Sequence, residues 1–321
     1  MTLLFFIPLA FINFIWAKLI WGFFLYFLFI IFINYQKKIF DTKINYSFYF
    51  FILLFALDKT IIYSFFTGNI SFVLQILVSI SFYFILKNKI NIFYLIICFV
   101  SFFKFYFAIF LLCPFLISRS ENIKKIIISI LIISAFYILN YLYNPELFFN
   151  WINNVYKASV AKDYYSGFGI GTLNYAITLF NYLENKNIFI SNNRELYEIL
   201  TTLFFFITVI LFSFFYLNKI NNKTLNIKKI KLSISILLIA ICIPRLEVYE
   251  LIICVTPIIF LLEKFYNFKK EKYFHKITLS LFLISIFLLN GDSGITYPFI
   301  ITITLLSLYS LIKNNGALPR T

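Results

Sequence analysis

The sequence has little charge, little glycine or proline, and almost no histidine. Charged residues make up 13% of the 321 positions, with 8 glycines, 7 prolines and one histidine. Soluble domains carry about 25% charged residues, and collagen-like or linker-like chains need far more glycine and proline. These shortages exclude a soluble enzyme, a disordered protein and a fibrous chain.

The four cysteines offer neither a metal site nor a disulfide framework. They lie inside apolar runs, and no two of them form a C-x-x-C pair: Cys98, Cys113, Cys242 and Cys254. Zinc sites and disulfide scaffolds need closely repeated cysteine spacings, and haem or iron–sulfur centres need His or Cys ligands. We therefore expect no metal and no bound cofactor.

Apolar residues are what the sequence has in excess. They make up 62% of the chain, 22% of the chain is aromatic, and the mean hydropathy is +0.92. One soluble core cannot bury so much apolar surface, so lipid must be the solvent for most of it. Runs such as FLYFLFIIFI lack the alternation that a β-barrel requires. The sequence therefore predicts an all-α, polytopic membrane protein.

The predicted membrane segments, about 10–12 of them, are uneven in length. Four approach the ~20 residues that cross a bilayer, namely 15–33, 70–86, 126–143 and 196–217. Others have only 12 or 13 residues, namely 46–57, 232–243 and 277–289. Several segments are thus predicted to be short or re-entrant, with their ends facing a water-filled cavity open to the outer face.

Basic residues gather on one predicted face of the membrane. If the polar breaks alternate between faces, and residues 91–117 go out and back, one face holds 20 of the 28 basic residues and four acids. The other face then has 8 basic and 9 acidic residues. Cytoplasmic loops collect Lys and Arg. The basic face is therefore predicted to be cytoplasmic, and the net charge of +15 indicates membrane topology rather than a nucleic-acid partner.

The chain is predicted to form one transmembrane domain, 1–312, with an extracytoplasmic loop at 144–195 and a disordered tail at 313–321. Residues 3–14 are short and contain Pro8, which is typical of a half-helix or re-entrant hairpin. No signal-peptide pattern precedes them. Either this segment crosses the membrane alone or an upstream helix is absent from the chain, and the second is the preferred expectation.

Two cations stand out as candidates for binding an anionic group. Lys104 lies deep in an apolar stretch, where the charge map places it at the outer turn of 91–117. It could position a phosphate or headgroup, or it could be a snorkelling interfacial lysine. Arg245 follows a helix-ending Pro244 and could grip a phosphate bidentately, or pair with nearby acids.

Aromatic and acidic residues of the outer face complete the candidate set. Trp151 and Tyr164 stand among amides in 144–195, where they could contact sugars or anchor interfacial helices. Asp58, Asp163 and Glu247 could act as a general base, or could be solvated loop acids.

Several stretches together resemble glycosyltransferase family 87, integral membrane enzymes of the GT-C class. FFIPLAFINFIWAKLIWGFF is similar to the family's P-L-(apolar)-P-x-x-A-(apolar)-W segment, and FFTGNISFVLQ to its G-Q helix start, with Asn69 replacing Gln. FVSFFKFYFAIF places Lys104 on the family's lysine, while Phe107 departs from its proline. NPELFFNWINNV with GFGIGTLNYAITLF resembles the outer loop, and PRLEVYELIICVTPII the late P-R-x-x-x-Y turn that contains Tyr249. The resemblance runs in order over residues 3–265.

The resemblance implies transfer of a mannose-like hexose from a polyprenyl-phosphate donor to a glycan or glycolipid acceptor at the outer face of the plasma (inner) membrane. It implies that Lys104 and Arg245 hold the donor phosphate and that Asn69, Trp151, Tyr164 and Tyr249 contact sugar or acceptor. The family's base is an aspartate of a first outer loop, expected before Met1. The alternatives are a transporter or flippase of a lipid-linked or anionic solute, and a non-catalytic remnant.

Overall fold

The computed structural model describes residues 7–40, 70–118, 122–160, 171–186, 193–220, 224–243, 251–266 and 296–313, with five isolated residues between these ranges. The elements in chain order are α1 Phe14–Phe40, α2 Ile70–Leu86, α3 Ile90–Phe103, a 3₁₀ helix Phe105–Leu112, α4 Cys113–Ile117, α5 Asn122–Tyr143, α6 Pro145–Val160, α7 Thr172–Asn185, α8 Arg194–Lys219, α9 Leu225–Cys242, α10 Ile252–Tyr266 and α11 Thr296–Lys313. No strand occurs in these ranges, so the all-α prediction is confirmed for the described part of the chain.

Three of the described helices are long and apolar enough to cross a membrane. They are α1 with 27 residues, Ile123–Tyr143 of α5 with 21, and α8 with 26. At 1.5 Å per residue each exceeds the ~30 Å hydrocarbon layer. In the most apolar 18-residue stretch of each helix, only 11–17% is buried within the protein. The remaining apolar surface needs lipid around it, which supports the predicted membrane location.

Helix α9 lies at the centre of the bundle. Every residue from Lys229 to Cys242 is buried, as expected for a helix that is apolar on all sides. The helices α2, α4, α8, α10 and α11 pack around it. On the other side of α2, helix α3 packs between α2 and α5, so that α1, α5 and α8 present apolar faces outward.

The helix that contains the predicted short span 232–243 is longer than the sequence predicted. Helix α9 begins at Leu225 and has 18 residues, and the Thr224 hydroxyl caps it by accepting a hydrogen bond from the Ile227 amide at 3.3 Å. From the sequence, the lysines before position 232 were assigned to a polar break between two membrane segments. Lysine is a good helix former with a long apolar stem, and Lys229 and Lys231 lie buried within the helix. The other predicted short spans, 46–57 and 277–289, fall outside the continuous described ranges.

The predicted outer loop 144–195 contains two helices. Amphipathic α6 and α7 occupy much of it, with Asn144 capping α6 by accepting from the Leu147 amide at 3.0 Å. The period-3.6 pattern within this polar segment was therefore missed. At the chain ends, residues 7–10 form a separate helical turn before α1, and α11 extends to Lys313. Residues 314–321 lie outside the described part.

The chain reverses at Lys104, as the charge map required. Lys104 is extended (φ −140°, ψ 102°) between α3 and the 3₁₀ helix. The ring of Phe82 in α2 lies 6.4 Å from that of Phe93, before the reversal, and 5.9 Å from that of Phe110, after it. The 3₁₀ helix therefore runs back along α3 instead of continuing it.

Opposite the reversal, many helix ends rich in lysine come together. The Tyr35 and Tyr83 rings join the ends of α1 and α2 at 5.8 Å. Lys228 Nζ donates to Asn88 Oδ1 at 2.6 Å and joins α9 to the turn between α2 and α3. We call this the lysine-rich end; its described lysines include Lys37, Lys38, Lys87, Lys89, Lys124, Lys125, Lys219, Lys228, Lys229 and Lys231.

Candidate functional site

Lys104 stands at the head of a row of side chains on the 3₁₀ helix. Residues three apart eclipse each other in a 3₁₀ helix, so Phe107, Phe110 and Cys113 lie in one row with Lys104. Those three are buried, whereas Lys104 is half-buried. Burial of this row holds the returning segment against α2 and α3. The lysine is therefore fixed at the reversal, about 21 Å of helix away from Lys89.

Aromatic rings line the reversal next to Lys104. Its Nζ lies 5.5 Å from the centroid of the Tyr106 ring, within the range of a cation–π contact. The neighbouring Phe105 ring meets the Trp151 indole edge-on at 6.3 Å. Trp151, which the sequence predicted to contact sugar, thus packs on Phe105, the chain neighbour of the predicted phosphate-binding residue Lys104.

Trp151 of α6 is held near the chain reversal by its contact with α5. The indole stacks on Tyr137 with centroids 5.6 Å apart and planes 14° apart. The Tyr137 hydroxyl donates to the Ser101 carbonyl at 2.8 Å, which ties α5 to the last turn of α3. Trp151 nevertheless keeps 38% of its surface exposed. We call Lys104, Phe105, Tyr106, Tyr137 and Trp151 the Lys104 cluster.

An ammonium group near exposed aromatic surface suits a ligand that carries both an anionic group and an apolar ring face. A lysine at the end of the bundle attracts phosphate or carboxylate as a point charge. A Trp face offers apolar area with a polar edge, which fits the carbon face of a sugar ring. The cluster therefore offers one cation and one partly exposed aromatic face at the same end of the bundle.

The other predicted site residues lie outside the described part of the chain. They are Asp58, Asn69, Asp163, Tyr164, Arg245, Glu247 and Tyr249. Their roles remain predictions.

Sequence reasoning missed the supporting members of the cluster. Tyr137 is 36 positions from the carbonyl it binds, and no local pattern predicts a contact at that separation. Phe105 is one of 46 phenylalanines, so its type carried no information. Only the fold distinguishes these residues from other aromatic side chains of the membrane segments.

A second polar cluster joins α7 and α8 around Arg194. Its Nε donates to Glu198 Oε1 at 2.6 Å, its Nη1 pairs with Glu184, and its Nη2 donates to Asn181 Oδ1 at 2.5 Å. Both Arg194 and Glu184 lie in the segment 144–195, which the sequence predicted as an outer loop. The i,i+4 spacing to Glu198 was the available signal.

A third polar group is buried inside the bundle on α2. Gln75 has no exposed surface. Neither of its side-chain polar atoms has a hydrogen-bond partner among the described residues, and the same holds for the Ser79 hydroxyl one turn later. Buried polar atoms without partners are rare in proteins and point to a functional role.

No protein-family model matches the chain, and neither a curated protein nor a solved structure matches it. The four cysteines are buried within the described helices. In the described ranges, no three His, Cys, Asp or Glu side chains lie close enough together to hold a metal ion. A function must therefore be argued from the Lys104 cluster and the order of the sequence segments.

Proposed function

We propose that the protein is a membrane glycosyltransferase of GT-C type. It transfers a mannose-like hexose from a polyprenyl-phosphate donor to a glycan or glycolipid acceptor at the extracytoplasmic face of the plasma membrane. The observation that carries the proposal is the placement of Lys104 at a chain reversal, opposite the lysine-rich end and next to Phe105, whose ring contacts the partly exposed Trp151. The ordered resemblance of residues 3–265 to glycosyltransferase family 87 adds support.

In this reaction an acceptor hydroxyl attacks C1 of the sugar, and the bond between C1 and the phosphate oxygen breaks. A carboxylate takes the hydroxyl proton; Asp58, Asp163 and Glu247 are the candidates in this chain. Polyprenyl phosphate leaves with the bonding electron pair. Lys104, together with Arg245, stabilises the negative charge that grows on the leaving phosphate.

The aromatic part of the cluster serves the sugar or the acceptor in this proposal. Trp151 offers its partly exposed indole next to Phe105, the neighbour of Lys104 in the chain. The proposal assigns Asn69, Tyr164 and Tyr249 to the same ligand. Membrane lipid is the environment of the donor's polyprenyl tail.

The first prediction concerns Lys104→Ala in the full chain reconstituted in liposomes. Transfer of labelled hexose from polyprenyl phosphate to a lipid acceptor should fall about 100-fold or more, because one preorganised charge on the leaving group is lost. Lys104→Arg should retain part of the activity. Lys186→Ala removes an exposed lysine that directly follows α7 and should leave transfer unchanged. Equal activity of Lys104→Ala and the unmodified chain would contradict the assignment.

A transporter or flippase is the second candidate, and Gln75 favours it. Polar side chains buried between membrane helices often mark a substrate path, and Gln75 and Ser79 lie on one face of α2. This candidate predicts that labelled polyprenyl phosphate-sugar crosses vesicles without forming a new glycosidic bond. Gln75→Leu should then slow crossing, whereas the glycosyltransferase proposal expects bond formation.

A further inference from the structure

Helix α7 begins with a buried hydroxyl group. Thr172 is the first residue of the helix and is only 7% exposed. Thr172, Ala176 and Phe180 are all buried and follow each other at intervals of four, so the Thr172 side chain lies on the buried face of α7. Its Oγ1 has no hydrogen-bond partner among the described residues. Buried hydroxyls are normally hydrogen-bonded, so this group is available to a ligand.

Backbone donors lie next to this hydroxyl. The first intrahelical bond of α7 runs from the Tyr175 amide to the Gly171 carbonyl at 3.4 Å, so the amides of residues 172–174 have no partner within the helix. Covalent geometry keeps Oγ1 of Thr172 about 3–4 Å from the nitrogen of its own amide. Gly171, the N-cap residue, has no side chain to accept from these amides or to cover them. One hydroxyl and three amides therefore converge at the start of α7.

The start of α7 also carries positive charge that its own first turn does not offset. A helix N-terminus is equivalent to about half a positive charge, which an Asp or Glu in the first turn would compensate. The first turn of α7 contains no acidic residue. Glu184 and Glu198 are both paired with Arg194 near the opposite end of α7. An anion at the start of the helix would therefore meet a favourable potential.

This helix start lies within the membrane span of α8. Arg194, at the start of α8, donates to Asn181 Oδ1 at 2.5 Å, and the two helices pack against each other as a hairpin. Thr172 lies nine positions before Asn181, which is about 14 Å of helix towards the middle of α8. At membrane depth, backbone groups outside the helical ladder are tolerated only where they are buried in protein or face a polar cavity. The free amides of α7 therefore need a polar group in front of them.

We propose that the N-terminus of α7 binds a phosphate group, with the Thr172 hydroxyl and the amides of residues 172–174 as donors. Helix N-termini are suited to phosphate, and half-helices inside membrane proteins direct their positive ends at anionic groups. The donors match the three acceptor oxygens of a phosphate monoester or of inorganic phosphate better than the two of a carboxylate. The site shares no residue with the Lys104 cluster, so neither proposal depends on the other.

The test measures binding of inorganic phosphate and of phosphatidic acid to the full chain in neutral detergent, from the rise in melting temperature with ligand concentration. Thr172→Val replaces the hydroxyl by a methyl group of nearly the same shape. Without ligand this variant should melt at or above the temperature of the unmodified chain, because a buried hydroxyl without a partner is removed. It should bind phosphate about 10-fold more weakly, since a hydrogen bond to a charged group is lost. Thr172→Ser keeps the hydroxyl and should retain binding.

The matched control is Thr202→Val on α8. Thr202 is also buried, but its hydroxyl donates to the Glu198 carbonyl at 2.9 Å. This variant should lower the melting temperature and leave the affinity for phosphate unchanged. Equal weakening by both valine variants, or no binding of either probe, would overturn the site.

The two probes also identify the source of the phosphate. Binding that depends on Thr172 for phosphatidic acid alone assigns the site to a lipid phosphate, and for inorganic phosphate alone to a free anion. Either result supports the site. Acetate that binds as tightly as inorganic phosphate, with the same dependence on Thr172, would overturn the assignment of phosphate.

Discussion

At the scale of single residues, Arg194 shows what a charged side chain needs at the edge of this bundle. Its guanidinium is shared between Glu198 of its own helix and Glu184 and Asn181 of α7. Glu198 is only 7% exposed, so its carboxylate depends on this partner. The cluster satisfies the charges and also joins α7 to α8.

The second prediction concerns removal of this guanidinium. Arg194→Ala should lower the free energy of unfolding by roughly 2 kcal/mol, because it leaves a buried carboxylate without its cation. The loss should stay below the ~3–5 kcal/mol of a fully buried pair, since the Arg194 side chain is 20% exposed. Thermal unfolding in detergent measures this change.

Lys186→Ala is the control for Arg194, because Lys186 is an exposed cation at the end of α7. Arg194→Lys should fall between the two, since an ammonium keeps the charge but loses the planar fork that reaches two helices. A melting temperature of Arg194→Ala equal to that of Lys186→Ala would contradict a structural role for the cluster.

At the scale of elements, the sequence predicted well where the apolar helices lie. It predicted poorly where a helix begins or ends when its terminal residues are polar. The reversal within 91–117 followed from the need to sort charges between two faces, and it occurs at Lys104. The start of α9 was misplaced by seven residues, because lysines were taken as loop residues although tertiary packing buries them. The helices of 144–195 were missed because a polar composition was taken as a loop.

The site was predicted less completely than the fold. An isolated lysine in an apolar run is conspicuous, so Lys104 could be singled out from the sequence. Its partners could not, since Tyr137 and Trp151 meet the reversal through contacts between distant segments. Aromatic residues are so frequent in this chain that residue type alone does not indicate which rings are near the lysine.

The third prediction concerns the buried row of the 3₁₀ helix. Phe110→Ala should destabilise the protein by about 3–5 kcal/mol, because it leaves a cavity between the rings of Phe82 and Phe107. Phe99→Ala removes the same ring from the exposed side of α3, where Phe99 is 47% exposed. This change should lower the free energy of unfolding far less. Thermal unfolding of both variants in one detergent makes the comparison, and equal losses would contradict the packing role of the row.

At the scale of the whole molecule, charge is distributed along one axis. The described lysines of many helix ends lie together at the lysine-rich end. Four of the five described acids, Glu146, Glu184, Glu195 and Glu198, belong to α6, α7 and the first turns of α8, and the fifth, Glu263, lies in the last turns of α10. The sequence-based sorting of charge is thus reproduced by the described helix ends. Under the positive-inside rule this asymmetry predicts that the lysine-rich end faces the cytoplasm.

The fourth prediction tests this orientation with single cysteines. The variant K186C should react with a membrane-impermeant maleimide in intact cells, and K124C only after the membrane is opened. The native cysteines are buried, so the unmodified chain gives the background. The reverse labelling pattern would place the Lys104 cluster inside the cell and contradict the proposed extracytoplasmic site.

The complete burial of α9 has a consequence for how the protein is made. Some neighbours of α9, such as α4 and α8, precede it in the chain, whereas α10 and α11 follow it. A ribosome therefore releases the central helix before two of the five helices packed around it exist. Until α10 and α11 arrive, α9 must expose to lipid or to the insertion machinery a surface that the finished protein never shows. Its position in the membrane is therefore settled late in synthesis, by helices that are made after it.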